Sequence, residues 1–109
     1  MPKVQLSVIA EEMATVLRSV QNKNDLATFL HGLLTPNELE EIHRRWHLLR
    51  GLSAGLTQRE IRDTLGISLG KIARGSRLMK YSDDNFPAIV EQILKETKQE
   101  KFSSEAQNS

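Results

Sequence analysis

Residues 56–80, LTQREIRDTLGISLGKIARGSRLMK, hold two short apolar-periodic segments divided by a glycine. In the first segment Ile61 and Leu65 lie four apart and so share one face of a helix. Thr57 and Glu60 form a T-x-x-E pattern, whose side chains can satisfy each other's free backbone N–H groups, so a helix starts at Gln58. Gly66 ends it, since glycine takes a left-handed turn at no steric cost. Ile67 then plugs the junction and Ser68 caps a second helix, LGKIARGSRLMK, which Ile72 anchors back onto the first. Helix, glycine turn and helix in this compass, about residues 57–80, is the helix-turn-helix pattern. The outer face of the second helix presents Ser68, Gly70, Lys71, Arg74 and Arg77. Small residues at its start permit close approach to base edges, and the cations can hold phosphates. A helical hairpin that only packs is the competing reading, and Arg62 stands where many such motifs have a small residue.

Working outward, TPNELEEIHRRWHLLRGLSAG (35–55) begins with a second T-x-x-E pattern, Thr35 and Glu38, with Pro36 suited to a first helical turn. This helix is expected to run to about Ala54 and stop at Gly55, burying a stripe of Leu39, Ile42, Trp46, Leu49 and Leu52. Upstream, residues 4–21 form an amphipathic helix through Val8, Ile9, Met13, Val16, Leu17 and Val20. Asn22 to Asn24 break it, and DLATFLHGLL (25–34) forms a short second helix. Downstream, a last helix from Asp84 to about Lys98 carries Phe86, Ile89, Val90, Ile93 and Leu94. The expected fold is all-α, with six helices in a single domain over residues 1–98. Residues 99–109 are polar and aperiodic and are expected to form a disordered tail.

The net charge of +1 conceals an uneven distribution. Residues 43–80 carry nine Lys/Arg against only Glu60 and Asp63, whereas both flanking segments are net acidic. A basic block of this kind points to a polyanionic partner, with a solvated helical face as the plain alternative. The 109 residues contain no Cys, which excludes disulfides and thiolate metal sites. No apolar run reaches the roughly 18 residues that a membrane span requires. Glu11 and Glu12 come too early for a secretory signal core, so a cytoplasmic location is expected. His43 and His47 are four apart but lack the glutamate of a zinc-protease motif, so no metal site is expected. No nucleophile constellation or phosphate-cradling loop is present, which argues against an enzyme.

Three stretches carry a family resemblance: LLTPNELEEIHRR (33–45), LTQREI (56–61) and KIARGSRLMK (71–80). Their order and spacing resemble those of bacterial tryptophan repressors, over about residues 24–97. The resemblance implies an intertwined homodimer that binds a double-stranded DNA operator and represses transcription with L-tryptophan as corepressor, with no other cofactor. It also implies roles for individual residues. Arg45 would engage the ligand carboxylate with help from Thr35, and Arg74 would lie along the indole ring beside Gly75. Leu49 would line the indole slot, and backbone carbonyls near Leu33 and Leu34 of the partner chain would receive the ammonium. The DNA contacts map to Gln58, Arg59, Arg62, Ser68, Leu69, Gly70, Lys71, Ala73, Ser76, Arg77 and Lys80.

The chain departs from the family pattern in places. Arg77 and Leu78 stand where the family often has Asn and Ser, and Leu78 removes a hydroxyl that helps to hold the ligand amine. Lys71 and Ala73 replace threonines common on the reading helix, and the Gly55–Gln58 link is one residue shorter than in many members. Three readings therefore stay open. They are a tryptophan-gated repressor, a DNA-binding regulator with no ligand or a different small one, and a helical protein-interaction module.

Overall fold

The computed structural model describes residues 5–82 and 85–97. The expected tail at 99–109 lies outside them. The described chain is all-α: α1 (Leu6–Ser19), α2 (Lys23–Leu33), α3 (Pro36–Ser53), α4 (Gln58–Leu65), α5 (Leu69–Tyr81) and α6 (Phe86–Thr97). It divides into two compact units, Met1–Leu39 and Glu40–Ser109.

In the first unit the helix boundaries follow from capping. Asn22 is a cap as well as a break. Its Oδ1 accepts from the Asp25 N–H at 2.8 Å, and α2 begins at Lys23, two residues earlier than the periodicity predicts. At the start of α3 the Thr35 N–H donates to Glu38 Oε1 at 2.9 Å, and the Glu38 N–H donates to Thr35 Oγ1 at 3.2 Å. The Thr35 N–H and then its hydroxyl hold the Glu38 carboxyl below its ordinary value, against a small opposing effect of burial. No residue of α1 or α2 is buried. Leu6 is 82% exposed, and Val8, Ile9 and Leu33 are also open.

The second unit has a core. Leu48 of α3, Ile61 of α4, Ile67 of the turn and Ile72 of α5 are buried together, with Leu52, Leu56 and Leu65 packed around them. α4 packs on α5 and α5 on α6, where Val90 is buried. α3 ends as expected, within a residue. The Leu56 N–H bonds to the Gly51 carbonyl and the Gly55 N–H to that of Leu52, with Gly55 at φ 87°, which is a Schellman closure.

The buried stripe of α3 is not the one the sequence suggests. Leu48 and Gly51 are innermost, Trp46, Leu49 and Leu52 are half-buried, and Ile42 is 49% exposed. The cause is close helix approach at two glycines. A Cβ on Gly51 would lie 3.2 Å from Ile61 Cγ1, and one on Gly75 would lie 3.0 Å from Leu48 Cδ2. The α4–α5 pair therefore docks on the Leu48–Gly51 side of α3.

Candidate nucleic-acid interface and ligand cleft

The turn between α4 and α5 is built as its local chemistry requires. Thr57 and Glu60 form the reciprocal capping box at 3.1 and 3.2 Å, and Gly66 is left-handed at φ 66°. Ser68 Oγ accepts from the Lys71 N–H at 3.3 Å and so starts α5. With Ile67 and Ile72 in the core, α5 turns its other side outward. Ser68, Leu69, Gly70, Lys71, Arg74, Arg77 and Lys80 are exposed there, as are Gln58, Arg59 and Arg62 on α4. Arg62 is tied to the neighbouring Asp63 at 3.1 Å.

Two expected interface residues lie elsewhere. Ser76 is 6% exposed, and Ala73 is half-buried. Ser76 follows Ile72 by one helical turn and therefore shares its packed face. One cation of the basic block is also withdrawn from the surface, since Arg50 is 2% exposed. Its Nη1 donates to His47 Nδ1 at 2.9 Å. A guanidinium can only donate, so His47 carries its proton on Nε2 and donates to His43 Nε2, also at 2.9 Å. Among the described residues no group of three or more metal-ligating side chains forms.

Between α3 and α5 lies a cleft of about 430 Å³. α3 lines it with Glu41, Arg44, Arg45, Leu48 and Leu49, the turn with Gly66, Ile67 and Ser68, and α5 with Lys71, Arg74, Gly75 and Leu78. Four residues singled out from the sequence for a ligand, Arg45, Leu49, Arg74 and Gly75, thus meet in one place. Gly75 has a packing role there as well, because its missing Cβ is what lets α5 approach Leu48. Arg74 and Leu78 also line a more open depression with Gly70, Arg77 and Tyr81, so Arg74 borders both surfaces of α5. Leu33, Leu34 and Thr35 belong to the other compact unit, where Leu33 ends α2 and Thr35 caps α3.

Glu41, Arg44 and Leu48 also line the cleft and were not expected there. Glu41 Oε1 accepts from Lys71 Nζ at 3.0 Å and lies 3.4 Å from Arg45 Nε, while its Oε2 lies 3.4 Å from Arg44 Nη2. The Lys71 bond is the main cause of a lowered Glu41 carboxyl, which partial burial opposes and Arg44 and Arg45 reinforce. The i+3 and i+4 spacing to Arg44 and Arg45 is visible in the sequence. The tie to Lys71, thirty residues away, is not.

Comparison with known proteins accords with this geometry. The family model described as Trp repressor protein matches residues 10–94, which include both walls of the cleft. The chain belongs to the Trp repressor family. Its curated relatives include the Trp operon repressor homolog of Chlamydia trachomatis serovar L2, 33% identical over 81 residues, or 73% of this chain and 86% of the relative. That of Vibrio vulnificus is 37% identical over 79 residues, covering 72% and 76%. That of Photobacterium profundum is 32% identical over 92 residues, covering 82% and 87%. No solved structure matches the chain. Trp repressors are regulators of transcription and not enzymes, and this member is read accordingly. Among the described residues no helix is long and apolar enough to cross a membrane.

Proposed function

We propose that this Trp repressor family member is a homodimer that binds duplex operator DNA through α5 and is gated by L-tryptophan in the α3–α5 cleft. The convergence of Arg45 and Leu49 with Arg74 and Gly75 at the root of α5 carries this reading. Arg45 receives the ligand carboxylate, a planar donor fork matched to a planar acceptor. Arg74 stacks on the indole face, Leu49 forms the apolar wall, and Thr35 adds a hydroxyl. Carbonyls near Leu33 and Leu34 of a partner chain lie within the family's plan for the ammonium. A ligand lodged against Arg74 sets the tilt of the helix that also carries Lys71, Arg77 and Lys80. Gln58, Arg59 and Arg62 on α4, with Ser68, Leu69 and Gly70, complete the face offered to the groove, and Ala73 and Ser76 support it from behind.

Dimerisation accounts for the open apolar side chains of α1 and α2, which one chain leaves in water. Two α5 helices about 34 Å apart then meet successive major grooves, a rule for dimeric helix-turn-helix proteins of which Trp repressors are themselves examples.

A second reading is favoured by one observation. Leu78 lines the cleft and offers no hydroxyl, which suits a different small ligand or a ligand-independent regulator. Titration of duplex DNA with and without L-tryptophan, at several salt concentrations, decides among the readings. Tryptophan-dependent binding whose affinity falls steeply with salt is the expected result. Tight binding indifferent to tryptophan overturns the gating, and no duplex binding at low salt leaves a protein-interaction module.

A further inference from the structure

Of the exposed cations on α5, Arg74, Arg77 and Lys80 form no ion pair among the described residues, whereas Lys71 is held. Its Nζ donates to Oε1 of Glu41, on α3, at 3.0 Å. We propose that Glu41 is a positioning residue of the DNA interface: it holds Lys71 off the phosphate backbone, so that α5 meets duplex DNA with one cation fewer than its sequence carries. The inference rests on α5 being the face that meets DNA, as proposed above.

Three observations carry it. The first is placement. Lys71 is the third residue of α5, and the start of the second helix is the part of a helix-turn-helix that enters the groove. Gly70 beside it has no side chain, and a Cβ there would meet nothing within 4 Å, so nothing at that position shields Lys71 from an approaching duplex. A cation so placed is among the first to come near DNA, yet its charge is answered inside the protein.

The second is which partner is fixed. The Glu41 side chain is 26% exposed, against 57% for Lys71. Arg44 and Arg45, one turn further along α3, each lie 3.4 Å from a Glu41 oxygen. The carboxylate is thus anchored on its own helix, and Lys71 reaches across to it. Lys71 is also the main cause of the lowered Glu41 carboxyl, so the acid is ionised at neutral pH.

The third is magnitude. One lysine–phosphate contact changes the log–log salt slope by about 0.9, which amounts to roughly fivefold in affinity between molar and physiological salt. An exposed ion pair is worth up to about fivefold in an equilibrium constant. The two are comparable, so breaking the Glu41 tie offsets most of what the phosphate contact would add. Glu41 is therefore a standing competitor of the DNA backbone for Lys71. It lowers the sequence-independent, electrostatic part of the affinity and leaves every base contact in place.

The test is titration of a short labelled duplex of mixed sequence with the full chain at several salt concentrations, in wild type, Glu41→Gln, Lys71→Gln and the double variant. Glu41→Gln is expected to tighten binding about two- to fivefold and to steepen the salt slope by about 0.9. Lys71→Gln alone is expected to leave the slope nearly unchanged. In the Glu41→Gln background the same change should abolish both gains, a non-additivity that a merely structural role for Glu41 does not produce. A gain that survives Lys71→Gln is a general effect of removing negative charge and overturns the assignment. So does a Glu41→Gln protein with wild-type affinity and slope, or a Lys71→Gln protein whose slope is shallower by about 0.9, since Lys71 would then already reach a phosphate. If wild type binds no duplex at low salt, the reading of α5 as the DNA face falls and this inference with it.

Discussion

The α1–α2 segment and the α4–α5 pair both carry apolar periodicity, yet only the second buries it. Ile61 and Ile72 are fully enclosed within the second unit, whereas no side chain of α1 or α2 is buried in the first. An amphipathic helix gains stability in water only by covering its apolar face. The α4–α5 pair does this inside one chain, because glycines at 51 and 75 let three helices close on Leu48. The α1–α2 segment has the stripe but not the cover, and a cover is what the proposed dimer would supply.

The sharpest way to break this contrast is one substitution in each unit. Ile72→Ala is expected to cost about 2–5 kcal/mol in chemical denaturation, the usual range for emptying a closed core site. If it costs less than about 1 kcal/mol, the core of the second unit is not what holds the α4–α5 pair together. Ile9→Asp addresses the other unit. In a lone chain this exposed position should tolerate a charge within about 0.5 kcal/mol. In a dimer that covers α1, a charge there should weaken association at least about tenfold, visible by sedimentation equilibrium. A dimer unaffected by Ile9→Asp places the interface elsewhere.

Glycine gives a finer contrast within α5. Gly75→Ala pushes a methyl against the Leu48 side chain, 3.0 Å from Cδ2, and should destabilise by about 1–3 kcal/mol. Gly70 faces open space, so Gly70→Ala should stabilise α5 by about 0.5–1 kcal/mol while adding bulk to the face that meets DNA. Equal effects at the two positions would mean that α3 and α5 do not approach closely at Gly75.

What the sequence makes legible follows the same division between local and distant causes. The capping boxes at Thr35 and Thr57, the left-handed Gly66 and the Ser68 cap are each decided by residues within three positions, and all are found as expected. The inner stripe of α3 was missed because Leu48, Leu49 and Leu52 are neighbours on the helical wheel. Which of them faces inward depends on Gly51 and Gly75, and glycine leaves no trace in apolar periodicity. Ser76 was placed outward by family analogy, although its spacing of four from the buried Ile72 argues otherwise. In the cleft, Arg45, Leu49, Arg74 and Gly75 were named only through the family resemblance, and the structure brings the four together. The Glu41–Lys71 tie was not legible, since it exists only once α5 has docked on α3.

Two glutamates turn that division into the smallest of the expected effects. Glu38 and Glu41 both lie below the ordinary 4.5, but for different reasons. Glu38 owes its position first to the Thr35 N–H, a contact made within a single helical turn. Glu41 owes it first to Lys71, a contact made by tertiary docking. For a carboxyl lowered in the folded state, the interaction is intact above the ordinary value and is lost as pH falls through the lowered one. Both bonds are therefore whole at neutral pH and fail only below about pH 4.5. In an NMR titration of the side-chain carboxyls, Lys71→Gln should raise the Glu41 midpoint toward its ordinary value, with the remaining depression due to Arg44 and Arg45. The Glu38 midpoint should not move. If Lys71→Gln leaves Glu41 where it was, Lys71 does not occupy that carboxylate in solution, and the docking of α5 on α3 is not what lowers it.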